Sequence, residues 1–347
     1  MFAVKRHLPS VNKIQSPTTP RLERTLNKPI LEKALCLALL SGSLLLSPVI
    51  AQAQENNMTN NAANNGTGDM TDGDTTPVTP TGLVKPEFNT GARAAGMGEA
   101  HNALSEGTNG MWHNPAGIAR NYMYAIEGNF AYTSTGNVLS AAIVDSKTNP
   151  KISAGLGLGY FFSRTSGTEV AALDIRLPIA VPVVQDRVSV GLGGRYLRAK
   201  AGELEIINGF SLDAGVLFRV QEGFHIGIAA KNLIDPCKNV LCEGIAPLTV
   251  GAGAAFSANG FTGAVDAEFD LGSSDSTGIN IDVGGEYLIQ DMVPVRLGYQ
   301  FKNLGPNHIL ALGSGWRSKT AGVDLSYQHD LTIQQFGRLL LGVSVYF

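Results

Sequence analysis

From Tyr122 to the last residue, apolar and polar side chains alternate in short runs. Ile279, Ile281, Val283, Tyr287 and Ile289 share one phase; Asn280, Asp282, Gly284 and Glu286 share the other. Phe261, Val265, Ala267 and Phe269 alternate with Thr262, Asp266, Glu268 and Asp270. Val293, Val295, Leu297, Tyr299 and Phe301 alternate with Arg296, Gln300 and Lys302, and Ala321, Val323, Leu325 and Tyr327 with Asp324, Ser326 and Gln328. Successive side chains of a strand point to opposite faces, so each run predicts a strand with one apolar and one polar face.

Fourteen such runs fall near 122–133, 137–145, 151–162, 169–181, 187–198, 209–220, 223–232, 246–256, 260–270, 278–289, 292–301, 307–315, 319–328 and 337–347. They divide the 226 residues after Asn121 into roughly 16 per strand and connection. A membrane-crossing strand needs ~9–11 residues, which leaves about five per connection. The even count brings both ends of a closed barrel to one side. The predicted fold class is all-β: a transmembrane antiparallel up-and-down β-barrel over 122–347.

The connections divide into two sets. One holds 146–150, 182–186, 221–222, 257–259, 290–291 and 316–318; the other holds 134–136, 163–168, 199–208, 233–245, 271–277, 302–306 and 329–336. Apart from its first turn, the second set is longer, as expected for surface loops opposite short periplasmic turns. Apolar residues alternate back from Phe347 through Val345, Val343, Leu341 and Leu339. This resembles the C-terminal strand signature that bacterial outer-membrane assembly machinery recognises, which makes Phe347 the expected contact for that machinery.

The first 53 residues predict a cleaved export signal. Lys5, Arg6, Lys13, Arg21, Arg24, Lys28 and Lys33 form a long basic region, Ala34 to Ile50 an apolar core, and Ala51-Gln52-Ala53 a small-residue cleavage site. The apolar core, broken by Gly42 and Pro48, is short of the ~20 residues a spanning helix needs. Residues 54–85, rich in Asn, Thr, Gly, Asp and Pro, predict a disordered linker. A compact segment, 86–121, precedes the first strand.

Composition sharpens the class. Of 347 residues, 44% are hydrophobic, 16% charged and 41 are glycine. A net charge of −3 leaves no basic footprint for nucleic acid. Without residues 1–53 the chain keeps 19 basic and 27 acidic side chains, net −8. Its only remaining cysteines, Cys237 and Cys242, fall in the longest loop. In an oxidising compartment they are expected to form a disulfide rather than stay free; no cluster supplies the other ligands a zinc site needs.

No residues predict an enzyme, a metal site or a cofactor. Gly91 to Gly98 lacks the strand and the Lys-Ser/Thr pair of a phosphate-binding loop. Gly155, Gly157 and Gly159, like Gly251 and Gly253, sit within alternating strands, where glycine makes room inside a barrel. The polar-facing charges Asp174, Arg176, Arg195, Asp213, Asp266, Glu268, Asp282, Glu286, Arg296 and Asp324 read as a solvated, mutually paired lumen wall, or else as a polar conduction or docking path.

Residues 89–120 read NTGARAAGMGEAHNALSEGTNGMWHNPAGIAR. Gly91-Ala92-Arg93, Gly96-Met97-Gly98 and Asn114-Pro115-Ala116-Gly117 resemble the N-terminal signature of the FadL-like outer-membrane transport proteins and their PorV/PorQ-type relatives. Lys231-Asn232-Leu233 and Lys302-Asn303-Leu304-Gly305 resemble strand-end motifs of the same group. The resemblance implies a fourteen-stranded barrel with an N-terminal hatch folded inside it. Gly91, Arg93, Gly96, Gly98, Asn114, Pro115, Ala116 and Gly117 would form the gate. Met97, Met111 and Trp112 would be ligand contacts or hatch core.

The implied function is passage of small hydrophobic molecules across the outer membrane, with lipid and a hydrophobic small molecule as partners. In such transporters the ligand leaves sideways through a strand irregularity. Pro178 and Pro182 mark either such an irregularity or a strand end. The PorV-type alternative is a non-transporting component that docks a secretion-system protein through loops 199–208 and 233–245.

Overall fold

In the computed structural model the barrel is built from β1 (Tyr124–Thr133), β2 (Asn137–Asp145), β3 (Ser153–Thr165), β4 (Thr168–Val184), β5 (Val188–Ala201), β6 (Leu204–Gln221) and β7 (Phe224–Lys231). It continues through β8 (Thr249–Ala258), β9 (Phe261–Asp270), β10 (Gly278–Ile289), β11 (Val293–Lys302), β12 (Asn307–Arg317), β13 (Ala321–Asp330) and β14 (Gln335–Tyr346). Each strand pairs with its sequence neighbours, and β1 pairs antiparallel with β14 from Ala125↔Tyr346 to Thr133↔Arg338, which closes the ring. The structure describes residues 90–165, 168–237, 242, 245–272, 278–303, 307–332 and 335–347. The export signal, the linker and residues 86–89 of the hatch lie outside these.

The two phases of each run become the two faces of the wall. On β1, Ile126, Phe130 and Tyr132 face out, while Glu127, Asn129 and Thr133 are buried inside. On β11, Val295 and Leu297 face out and Arg296 and Gln300 are buried. A continuous outer surface of Leu, Ile, Val, Phe and Tyr is stable against lipid, and closure leaves no strand edge to satisfy there. No helix among the described residues is long and apolar enough to cross a membrane; the strands do the crossing.

One end of the barrel is made of tight turns. Asn259 and Gly260, both at positive φ, join Ala258 to Phe261 in a two-residue hairpin turn, a conformation that Asn-Gly adopts at low cost. The opposite end carries the 232–248 connection, where Cys237 and Cys242 are paired with Cα atoms 5.6 Å apart.

Several boundaries move. β4, expected to stop near 181, runs 17 residues to Val184, and β6, expected from 209, starts at Leu204 and runs 18 residues. The expected loop 199–208 is therefore a tight turn between Ala201 and Leu204, and 163–168 shrinks likewise. Ladder hydrogen bonds extend these hairpins past the membrane-length runs that the alternation marks. A bulge places Ile206 and Ile207 together in the interior, which breaks the alternation that would have revealed the extension. Pro178 and Pro182 do not end β4. Pro178 pairs opposite Gly193, and the β4–β5 register shifts between Pro182 and Val184.

Leu297 lies outward near the middle of β11 and is 58% exposed. Leu297→Arg is expected to cost ~2–4 kcal/mol in bilayer-embedded unfolding, as charges at mid-membrane depth on a barrel's lipid face do. Urea titration in lipid vesicles measures it.

Candidate functional site: the hatch and its seat

Residues Thr90 to Asn121 fill the lumen. They form one short helix, α1 (Ala92–Gly96), and two 3-10 turns, Gly107–Met111 and Pro115–Ala119. The segment is held in two ways: by backbone pressed onto inward-facing glycines, and by hydrogen bonds from charged wall residues.

The glycines set the fit. Gly98 packs on β11 so closely that an added Cβ would lie 2.6 Å from the Tyr299 nitrogen and 3.0 Å from the Gly298 carbonyl carbon. Gly96 rests on Gly313 of β12, and its own Cβ would sit 3.1 Å from the Gly313 Cα. Gly284 faces the Met97 carbonyl, Gly227 the Asn102 carbonyl, and Gly191 the Pro115–Ala116 peptide. Gly117 abuts Ser105 within the hatch, at 2.6 Å from its carbonyl carbon for an added Cβ. Gly155 and Gly157 of β3 make room for Met111 and Trp112.

Asn114 ties the Asn-Pro-Ala-Gly motif to the wall. Its Oδ1 accepts from the Ala116 N–H (3.1 Å) and so caps the turn that Pro115 begins. Its Nδ2 donates toward the carbonyls of Asn102 (3.1 Å), Val216 (3.2 Å) and Ile228 (3.3 Å). Ser189 Oγ donates to the Ala116 carbonyl (3.0 Å).

The charged residues form clamps. Arg93 reaches Glu106 within the hatch (2.5 Å) and meets Glu286 of β10 through Nε and Nη2 (3.3 and 2.9 Å). Glu286 also takes Arg296 (2.6 Å) and Arg317 (3.3 Å), and Arg296 pairs with Asp324 (2.7 Å). Asp174 holds Arg176 and Arg195, each at 3.0 Å. Arg176 donates to the carbonyls of Met111 (3.1 Å) and Trp112 (3.3 Å) and lies over the Trp112 ring. One oxygen of Asp266 accepts the backbone N–H groups of both His101 and Asn102 (2.7 Å each). Glu99 meets Arg338 of β14, and Gln328 donates to the Ala95 carbonyl (2.8 Å).

Burial disfavours charge on Glu106, but Arg93 and Arg120 outweigh it and hold this carboxyl down at about 2. Burial likewise opposes Arg93, and Glu286 and Glu106 more than compensate. His113 is pushed down to about 4 by burial despite Glu99 nearby, and its Nε2 lies 2.9 Å from the Thr90 carbonyl.

Of the expected lumen wall, Asp174, Asp266, Glu286 and Arg296 are buried rather than solvated. Glu286 and Asp266 bond the hatch directly and Asp174 acts through Arg176, while Asp282 keeps an oxygen without a hydrogen-bond partner. The expected gate residues Gly91, Arg93, Gly96, Gly98, Asn114, Pro115, Ala116 and Gly117 all belong to this seat. Met97 packs with Ala100, Ala103, Leu104, Ala255 and Ala264. Met111 and Trp112 pack with Ile118, Ala142, Val144 and Ala180. All three occupy the hatch core in this structure. Among the wall glycines, the alternation read from the sequence places Gly284 in the polar phase and leaves Gly191, Gly227, Gly298 and Gly313 unassigned. For Gly284 and Gly298 the signal is a glycine in the inward phase between large polar residues, as Gly298 stands between Arg296 and Gln300; Gly191, Gly227 and Gly313 have a small inward neighbour on at least one side and no such mark.

No protein-family model matches the chain, and no curated protein does. Solved structures share the fold. The monoaromatic hydrocarbon channel CymD superimposes with a TM-score of 0.56 at 14% identity, covering 75% of this chain and 98% of that one. The toluene transporter TodX of Pseudomonas putida gives 0.57 at 11%, covering 75% and 98%. The toluene transporter TbuX of Ralstonia pickettii gives 0.53 at 12%, covering 74% and 97%. The closed fourteen-strand barrel of this chain therefore shares the fold of these channels.

Two outcomes follow from the seat. Gly298→Val is expected to unseat the hatch at a cost of ~1–3 kcal/mol, as overpacking does, leaving the barrel folded; limited proteolysis between Gly91 and Asn121 reads it. Hatch attachment is also expected to weaken as pH falls from 6.5 toward about 4, because a released His113 takes up a proton in that window while the seated one does not. His113→Gln should reduce this dependence in the same assay and leave the part due to His101, whose imidazole burial also holds well below its ordinary range.

Proposed function

We propose that this protein passes small apolar molecules across the bacterial outer membrane, with the hatch closing the axial route and release occurring sideways through the wall. The observation that carries the reading is a weak place in the wall with an apolar part of the hatch directly behind it. The β3–β4 ladder runs from Ser153↔Ala180 and Ala154↔Ile179 to Gly157↔Arg176 without pairing Gly155 and Leu156 to Pro178 and Leu177. Pro178 has no N–H to give. Met111 and Trp112 lie against Gly155 and Gly157 on the lumen side.

The lining on this side suits an uncharged cargo. Inward positions of β2 and β3 are Val138, Ser140, Ala142 and Val144, and Gly155, Gly157, Gly159 and Phe161. Toward the long-loop end, Val138 and Phe161 join Val170, Leu197, Ile206, Ile207 and Leu340 in one apolar cluster. An apolar molecule moving along this strip leaves no charge unpaired, and Met111 and Trp112 are the side chains it would displace. The neighbours that carry monoaromatic hydrocarbons and toluene supply the cargo to try first.

Leu156 and Leu177 both face out across the unpaired stretch. A Leu156→Cys/Leu177→Cys pair, oxidised in liposomes, is expected to abolish protein-dependent toluene uptake, and reductant to restore it. Uptake that survives the crosslink overturns the lateral route; no uptake by the unmodified protein overturns the transport reading itself.

A further inference from the structure

Beneath the hatch, at the tight-turn end, lies a cavity of about 660 Å³ bounded by the end of the hatch and the β4–β7 rim. Three cations converge on it. Arg187, at the end of the β4–β5 turn, and Arg219 of β6 stand opposite each other, with the Arg219 N–H donating to the Arg187 carbonyl (2.7 Å). His225 of β7 is the next residue along the same rung, opposite Arg219. Arg120, the last residue of the hatch turn, reaches over this rung: its Nη2 lies 3.1 Å from His225 Nε2, and its Nη1 donates to the Ala103 carbonyl (3.3 Å).

Arg187 and Arg219 are exposed at the mouth of this cavity and Arg120 is half-buried. Like charges directly opposite on paired strands repel. In addition, none of the three guanidinium groups meets a carboxylate within ion-pair distance among the described residues. Glu106 lines the cavity, but Arg93 and Asn121 take its oxygens. Asp186 and Glu222 sit on exposed turn tips. Burial and the neighbouring Arg93 and Arg219 hold Arg120 below its ordinary basicity. The arginines withdrawn deeper into the lumen, unlike the exposed Arg187 and Arg219, have carboxylates: Arg93 has Glu286, Arg176 has Asp174, and Arg296 has both Glu286 and Asp324.

We propose that Arg120, Arg187 and Arg219 form a binding site for a small soluble oxyanion, a carboxylate or a phosphate. A planar guanidinium presents parallel N–H groups that match two oxygens of such an anion, and paired arginines share it without further change of the wall. The anion would cancel the repulsion across the Arg187–Arg219 rung. The side chains line the lumen rather than the lipid face, so the ligand is a solute entering from the tight-turn mouth, not a lipid headgroup. Because Arg120 also holds the Ala103 carbonyl, an occupied site fastens the end of the hatch.

Isothermal titration of the full-length protein in lipid-free neutral detergent tests this, with inorganic phosphate and acetate as probes. Saturable binding at one site per chain is expected, falling with added chloride and weakened about tenfold or more in Arg219→Gln, as loss of a charge-assisted hydrogen-bonded partner does. Arg198→Gln, at the opposite end of β5, should bind as the unmodified protein does. Retention of the heat-sensitive folded band on unboiled gels shows that each variant is a closed barrel. Absence of saturable binding, binding unchanged in folded Arg219→Gln, or binding that appears only in vesicles containing phosphatidylglycerol overturns the proposal. Toluene uptake is read separately, so either reading can fail alone.

Discussion

Every backbone N–H and C=O at membrane depth must find a partner within the protein, because hydrocarbon offers none. The rest of this structure follows from that constraint. A ring closed from β1 to β14 satisfies the wall. It also creates an enclosed space in which the irregular backbone of Thr90 to Asn121 can exist, provided the wall itself supplies partners. Asn114 meets three carbonyls, Asp266 takes two successive N–H groups, and Gln328 and Arg176 cap carbonyls of the hatch. The inward polar face of the strands is in this sense the solvent of the hatch.

The lumen is asymmetric. Toward β9–β13 the hatch is fastened by charge: Arg93, Glu286, Arg296 and Asp324 form one connected group, in which Glu286 meets three arginines. Toward β2 to β4 the side chains of Met111 and Trp112 pack against glycine and alanine, and their carbonyls accept from Arg176. Contact is easily remade with a passing apolar molecule, whereas a buried ion pair is not. The apolar side of the hatch is thus also the side where the β3–β4 ladder is incomplete.

Much of the architecture was legible beforehand. The count of fourteen strands and nearly all of their faces came from period-two alternation, since a strand between lipid and lumen has no other way to distribute its side chains. The motif residues Gly91 to Gly117 were likewise visible, through their likeness to a known hatch. Errors gathered where period two gives no information. The long hairpins of β4 to β6 leave the membrane zone, and at the Ile206–Ile207 bulge two neighbours share a face. Pro178 and Pro182 were ambiguous for a similar reason: proline denies one hydrogen bond, but only the neighbouring strands determine whether the chain carries on.

Alternation and length by themselves determined a barrel of fourteen strands with an apolar outer face, because each strand's two faces are written locally, residue by residue. The partners across the lumen were decided only by the tertiary structure. Arg93 and Glu286 lie 193 positions apart, and Gly98 needs Gly298 bare to approach it. Such pairings depend on strand register and closure, and no local run of sequence records which inward charge will face which, or which glycine is a seat rather than a bend.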